Sequence, residues 1–249
     1  MPTHNSGRVE YAIDSGHIEI VSDKGQKIPA YWAHPRIGHK FSAICLLHDW
    51  WGLNDISRIL ANFFAQMGYY VIAPDMYFGE IAHDPKQAMR LLDKTKEKHF
   101  GMVDAALTVL EKHHRTNSRV AAVGLGMGGT LAMEAAIKRS DLEAAVAYAG
   151  FPQQLLGQFN DCSTPILALF GSNEPYTKAK VLQILQNELL QTELKDHHRV
   201  VTIADAGHDF FTADPDPTRQ AIGNAVMTHT LQFLEKYIEA PKPIAKPRY

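Results

Sequence analysis

Residues 120–130 read VAAVGLGMGGT, and four glycines fall within six residues directly after an apolar run. Two kinds of chemistry use such a turn. As G-x-G-x-x-G, with Gly124, Gly126 and Gly129, it is the fingerprint of a dinucleotide-binding turn. As G-x-Nuc-x-G, with Gly124 and Gly128 flanking the centre, it is a nucleophile elbow whose nucleophile position is Gly126. A dinucleotide site also wants an acid at the end of the next strand for the ribose hydroxyls, and AVAYAGF offers none. An elbow wants an acid after a later strand and a histidine after the last one, in that order. Glu174 in LALFGSNEPY and His208 in VTIADAGHDFF meet that order.

These residues need a scaffold that gathers them at one edge. HIEIVSDKGQKIPAYWAHP reads as a hairpin around an Asp23-Lys24-Gly25 turn. FSAICLLHDWWG is a buried strand running into a loop, followed by a helix with Asn54 as its cap and Ile56, Ile59, Leu60, Phe63, Phe64 and Met67 at helical spacing. YYVIAPDMYFGE is a strand ending in a proline turn, and residues 84–115 form one or two helices with Pro85 near the start. Strands and helices then alternate to a final helix marked by Met227, Leu231, Leu234 and Ile238. Continuous apolar strands between helices predict an α/β fold, a doubly wound and mostly parallel sheet of about seven or eight strands with helices on both faces. Such a sheet brings Gly126, Glu174 and His208 to the carboxyl edge. No linker or repeat divides the chain, so one domain over residues 1–249 is expected, its core at about 11–238 and the proline-rich 240–249 loosely ordered.

Composition narrows the partners. The 25 Lys and Arg nearly balance 27 Asp and Glu, which offers no strong field to nucleic acid or anionic lipid. No run approaches the ~18 apolar residues of a membrane span, and the N-terminus lacks the basic and apolar pattern of an export signal. Cys45 and Cys162 are the only cysteines and have no metal-ligand spacing, so a cytoplasmic protein without a disulfide framework is expected. The pairs His113-His114 and His197-His198 lack metal spacing too and are expected to be solvated loop or helix-end residues. The partner expected is a small molecule, with no nucleic acid, no membrane, no metal and no cofactor.

Four stretches in order resemble the dienelactone hydrolase family of α/β-hydrolases, over about residues 11–238. HDWWGLN resembles the family's His-Glu-x-x-Gly or Gln-Glu-x-x-Gly turn, GYYVIAPDMYFG its Pro-Asp-Leu-Tyr turn, GLGMGG its Gly-x-Cys-x-Gly-Gly elbow, and GHDFF its His-Gly-Phe. The resemblance implies an α/β-hydrolase fold and ester or lactone hydrolysis. By it Gly126 stands where the nucleophilic cysteine belongs, Glu174 where the triad aspartate belongs, His208 on the histidine and Asp49 on the early carboxylate. The backbone N–H groups of Trp50 and Met127 would be the oxyanion donors. Thr212 stands where members that grip a substrate carboxylate carry arginine.

A glycine at an elbow relieves backbone strain but leaves no atom to acylate. Three functions follow: a catalytically impaired member that binds a small ligand or partner in the inherited pocket, an ester or lactone hydrolase in which His208 and Glu174 activate water, and a dinucleotide- or phosphate-binding module using the 124–129 turn.

Overall fold

A computed structural model describes residues 10–211 and 216–239 of the 249-residue chain. Thr212 and the 240–249 tail lie outside the described residues.

The elements alternate as β1 (Ile13–Val21), β2 (Lys27–Pro35), β3 (Phe41–Leu47), α1 (Asp55–Gln66), β4 (Tyr70–Pro74), α2 (Pro85–Lys112), β5 (Thr116–Leu125), α3 (Met127–Lys138), β6 (Ala144–Tyr148), β7 (Ile166–Gly171), α4 (Ala179–Leu189), β8 (Arg199–Ile203) and α5 (Pro217–Ile238). The eight strands form one sheet in the order β1-β2-β4-β3-β5-β6-β7-β8. β2 pairs antiparallel with β1 and β4, and the pairs from β4 onward are parallel. Two short 3-10 turns lie between β6 and β7.

The hydrophobic run of each central strand serves both faces of the sheet. In β3, Ile44 and Leu46 join the core beneath α1 and α5, while Cys45 and Leu47 join the core beneath α2, α3 and α4. Every residue of β3, β4, β6 and β7 is buried. Buried parallel strands carry continuous apolar sequence for this reason.

Local signals set the boundaries. The amide of Gly25 donates to the Ser22 carbonyl at 2.8 Å and closes the β1–β2 hairpin. Asn54 caps α1 by accepting from the Ser57 amide at 3.1 Å. Residues 84–115, expected to hold one or two helices, hold one of 28 residues, with Asp84 as cap and Pro85 in its first turn. Gly101 lies inside it without breaking it, because intact i→i−4 bonding on both sides outweighs one residue's propensity. His198 departs from the expectation of a solvated pair: its Nδ1 accepts from the Ile166 amide at 3.2 Å and its Nε2 lies 2.9 Å from Thr192 Oγ1. It ties the entry of β8 to that of β7, a long-range role that sequence spacing does not reveal. Among the described residues, no helix is long and apolar enough to cross a membrane.

Candidate active site

Strands β3, β5, β7 and β8 end at Leu47, Leu125, Gly171 and Ile203, and the residues singled out in the sequence follow each end. β5 turns into α3 through Gly126, whose φ of 49° and ψ of −111° lie in a region that side chains adopt only under strain. Its amide donates to the Tyr148 carbonyl at 2.8 Å, which fixes the turn against β6. Gly128 lets the first turn of α3 cross β3 at contact distance: a Cβ there would overlap the Leu47 carbonyl and stand 2.6 Å from the His48 carbonyl oxygen. These contacts fit an elbow, where helix and strand must approach closely.

The turn after β3 is held from beneath by His48. Its ring is fully buried, donates from Nδ1 to the Asp49 carbonyl at 2.6 Å and accepts at Nε2 from the Met76 amide at 3.0 Å. Burial pushes its pKa down to about 4, so the ring is neutral and can do both. Asp75 braces the same region, accepting from the amides of Tyr77 at 3.0 Å and Gly79 at 2.7 Å.

Asp49 thereby projects over the elbow. Its Oδ1 accepts from the Trp50 amide at 2.7 Å and from the Met127 amide at 3.1 Å. These are the two amides that the family resemblance implies as oxyanion donors, and both donate to the protein's own carboxylate. A Cβ at Gly126 would overlap Oδ1, lie 2.6 Å from Cγ and lie 2.9 Å from Oδ2. Burial raises the Asp49 pKa, opposed by the two amide bonds and by His208. Oδ2 carries no hydrogen bond among the described residues.

On the facing side, His208 Nδ1 lies 2.9 Å from Glu174 Oε2. Glu174 is fixed in turn by the Tyr176 amide, which donates to Oε1 at 2.9 Å. The glutamate side chain is 2% exposed and the histidine 15%, so the pair is shielded while the ring keeps one open edge. The Tyr176 ring stands edge-on to the His208 ring at 4.9 Å, and Phe151 lies 5.7 Å away. Neither Phe151 nor Tyr176 was singled out in the sequence, since an aromatic in a loop gives no signal until the loop is folded.

Asp49 and His208 line one cavity of about 840 Å³, walled by Trp50, Trp51, Phe151 and Tyr176. Trp50 and Trp51 also pack against the core, so they serve as wall and packing together. Met127 and Asp209 line the same space. Cys45 and Cys162 are buried away from it, and the thiol of Cys45 is driven far up the pKa scale by its apolar surroundings. Among the described residues, no group of three or more His, Cys, Asp or Glu side chains is arranged to hold a metal ion.

The strand order, the strand-to-helix elbow and an acid–histidine pair beyond the last strands define an α/β-hydrolase fold. Within it, this chain belongs to the dienelactone hydrolase family, whose model matches residues 28–238. It is 30% identical over 170 residues to Protein usf of Aquifex pyrophilus, covering 65% of this chain and 73% of that one. Solved structures similar in fold include a dienelactone hydrolase-like promiscuous phosphotriesterase from metagenomic libraries, at a TM-score of 0.77 and 18% identity over 91% of this chain and 99% of the other. The dienelactone hydrolase of Anabaena variabilis superposes with a TM-score of 0.66 at 19% identity, over 91% and 99% of the two chains.

Proposed function

We propose that this protein is a family member that does not transfer acyl groups through an elbow nucleophile, Gly126 standing at that position, and that it binds a small uncharged ligand in the Asp49–His208 cavity. One observation carries the reading: Asp49 Oδ1 takes the amides of both Trp50 and Met127, directly over Gly126. Acyl transfer needs an attacking side-chain atom and free donors for the oxyanion. Here the first is missing and the second are in use. Loss of a triad nucleophile alone costs on the order of 10⁶-fold in turnover.

Hydrolysis of an ester or lactone by water activated at His208 is the second reading, favoured by the 2.9 Å contact with Glu174. It requires Asp49 to leave the two amides as the oxyanion forms. Dinucleotide or phosphate binding at the 124–129 turn is disfavoured, because a carboxylate already sits at the N-terminus of α3 where the anion would bind. The near-balanced charge argues against nucleic-acid or membrane partners, and the two free buried cysteines suit a reducing cytoplasm.

The test is rapid mixing with 4-nitrophenyl acetate followed by intact-mass measurement. No burst and no acetyl adduct are expected, while small neutral esters and lactones raise the unfolding temperature. A stoichiometric burst with an acetylated protein would overturn the reading.

A further inference from the structure

We infer that Asp49 is itself a nucleophile, its Oδ2 displacing halide from the saturated carbon of a small uncharged alkyl halide, with His208 and Glu174 then hydrolysing the alkyl ester formed on Asp49. The inference rests on the reading that Gly126 leaves the elbow empty.

Asp49 fills the volume that a side chain at 126 would claim, and it enters from the neighbouring turn. Its two oxygens are differentiated. Oδ1 is anchored by two amides, and Oδ2 carries no hydrogen bond among the described residues while the side chain borders the cavity. A carboxylate held by one oxygen and free at the other is oriented for attack, and aromatic walls strip it of the water that would blunt it.

The occupied amides select the kind of substrate. Attack on an ester carbonyl creates an oxyanion on the substrate, which would find both donors taken. Displacement at a saturated carbon sends charge to the leaving group and asks nothing of them. In that step an Oδ2–carbon bond forms, the carbon–halogen bond breaks and halide departs with the electron pair.

The ester so formed keeps Oδ1 as its carbonyl oxygen. Hydrolysis then builds the oxyanion on Oδ1, already between Trp50 N–H and Met127 N–H. His208 lines the same cavity, its Nδ1 is engaged by Glu174, and its Nε2 has no hydrogen-bond partner among the described residues. It takes a proton from water, hydroxide adds to Cγ, the Cγ–Oδ2 bond breaks, and the alkoxide recovers the proton from His208. The carboxylic acid left on Asp49 loses its proton to solvent, so the sum is alkyl halide plus water to alcohol, halide and a proton. Among the described residues, Asp49 and Asp209 outnumber the cation Lys96 on the cavity wall, the third carboxylate Glu134 being paired with Lys138, and this disfavours an anionic substrate.

The test uses 1-bromobutane and 4-nitrobenzyl bromide with the whole protein. Wild type is expected to release bromide catalytically. His208→Gln should release about one equivalent and accumulate the alkyl group on the peptide containing Asp49, and Asp49→Asn should lower release by roughly 10³-fold. A single turnover of wild type in ¹⁸O water needs no variant to fold: label should enter Asp49, leaving the first alcohol unlabelled. Absence of bromide release from both substrates, or label passing directly into the first alcohol, overturns the inference and leaves the elbow reading standing. That reading falls separately, through an acetyl burst with 4-nitrophenyl acetate.

Discussion

The carboxylate of Asp49 occupies the space above Gly126 that any larger elbow residue would need, with Cγ 2.6 Å from where a Cβ would stand. The two positions are therefore linked: a side chain cannot be added at 126 without displacing Asp49. Gly126→Cys is expected to give little acyl transfer, because the new side chain and Asp49 compete for one volume and Asp49 engages the Trp50 and Met127 amides. Gly126→Cys combined with Asp49→Ala should acylate with 4-nitrophenyl acetate about 10²-fold faster than the single variant, the scale of a misplacement of about 1 Å. Burst kinetics compare the two, and equal rates would show that Asp49 does not obstruct the elbow.

Glu174 orients His208 through Nδ1 at 2.9 Å. Glu174→Gln keeps the shape and can present an N–H that favours the wrong tautomer. Any reaction that uses the histidine as a base should slow by about 10²–10⁴-fold. In the alkyl-halide reaction the slowing should fall on ester hydrolysis, so the variant accumulates adduct while its first equivalent of bromide appears at the wild-type rate. Unchanged turnover would separate Glu174 from the chemistry.

His48 should make stability depend on pH. Its ring is neutral in the fold with a pKa of about 4, against 6.5 for the free group. The unfolded chain gains a proton first as pH falls, so the contribution is complete above 6.5 and is lost as pH drops through that window toward 4. The slope is about 1.4 kcal/mol per pH unit at its steepest for one proton. His48→Gln should be less stable at pH 8 yet show a shallower fall in denaturation midpoint between pH 6.5 and 4. Parallel curves for the two proteins would exclude His48 as the source.

Two glycines in helices predict opposite outcomes. A Cβ at Gly101 meets no heavy atom within 4 Å, so Gly101→Ala should stabilise by about 0.5–1 kcal/mol through reduced backbone freedom in the unfolded chain. Gly128→Ala forces a Cβ into the Leu47 and His48 carbonyls and should destabilise by at least about 1–3 kcal/mol, with loss of the Asp49 turn. Urea denaturation of both variants checks the pair, and a neutral Gly128→Ala would refute the close helix–strand approach.

The sequence by itself determined the α/β architecture, the order of elbow, acid and histidine, and the absence of a side chain at 126. Those features are local: apolar run length, the Asn54 and Asp84 caps, glycine spacing and residue type are all readable along the chain. The contact between Glu174 and His208 was also legible, because parallel strands deliver their carboxyl ends to one edge.

Tertiary structure decided what Asp49 does. Leu47 pairs with Gly124 across β3 and β5, and that register sets the two turns side by side two residues later, at Asp49 and Gly126. Sequence names each turn but not its alignment with the other, and a carboxylate 77 positions upstream gives no sign that it will enter the elbow. The cavity walls at Phe151 and Tyr176 and the tether at His198 arose in the same way, from loops and strand ends meeting across long separations. Packing set the Asp49 turn against the start of α3, and with no Cβ at Gly126 to fill the space above it, the Asp49 carboxylate enters that space and satisfies the Met127 amide at the start of α3 together with the Trp50 amide of its own turn.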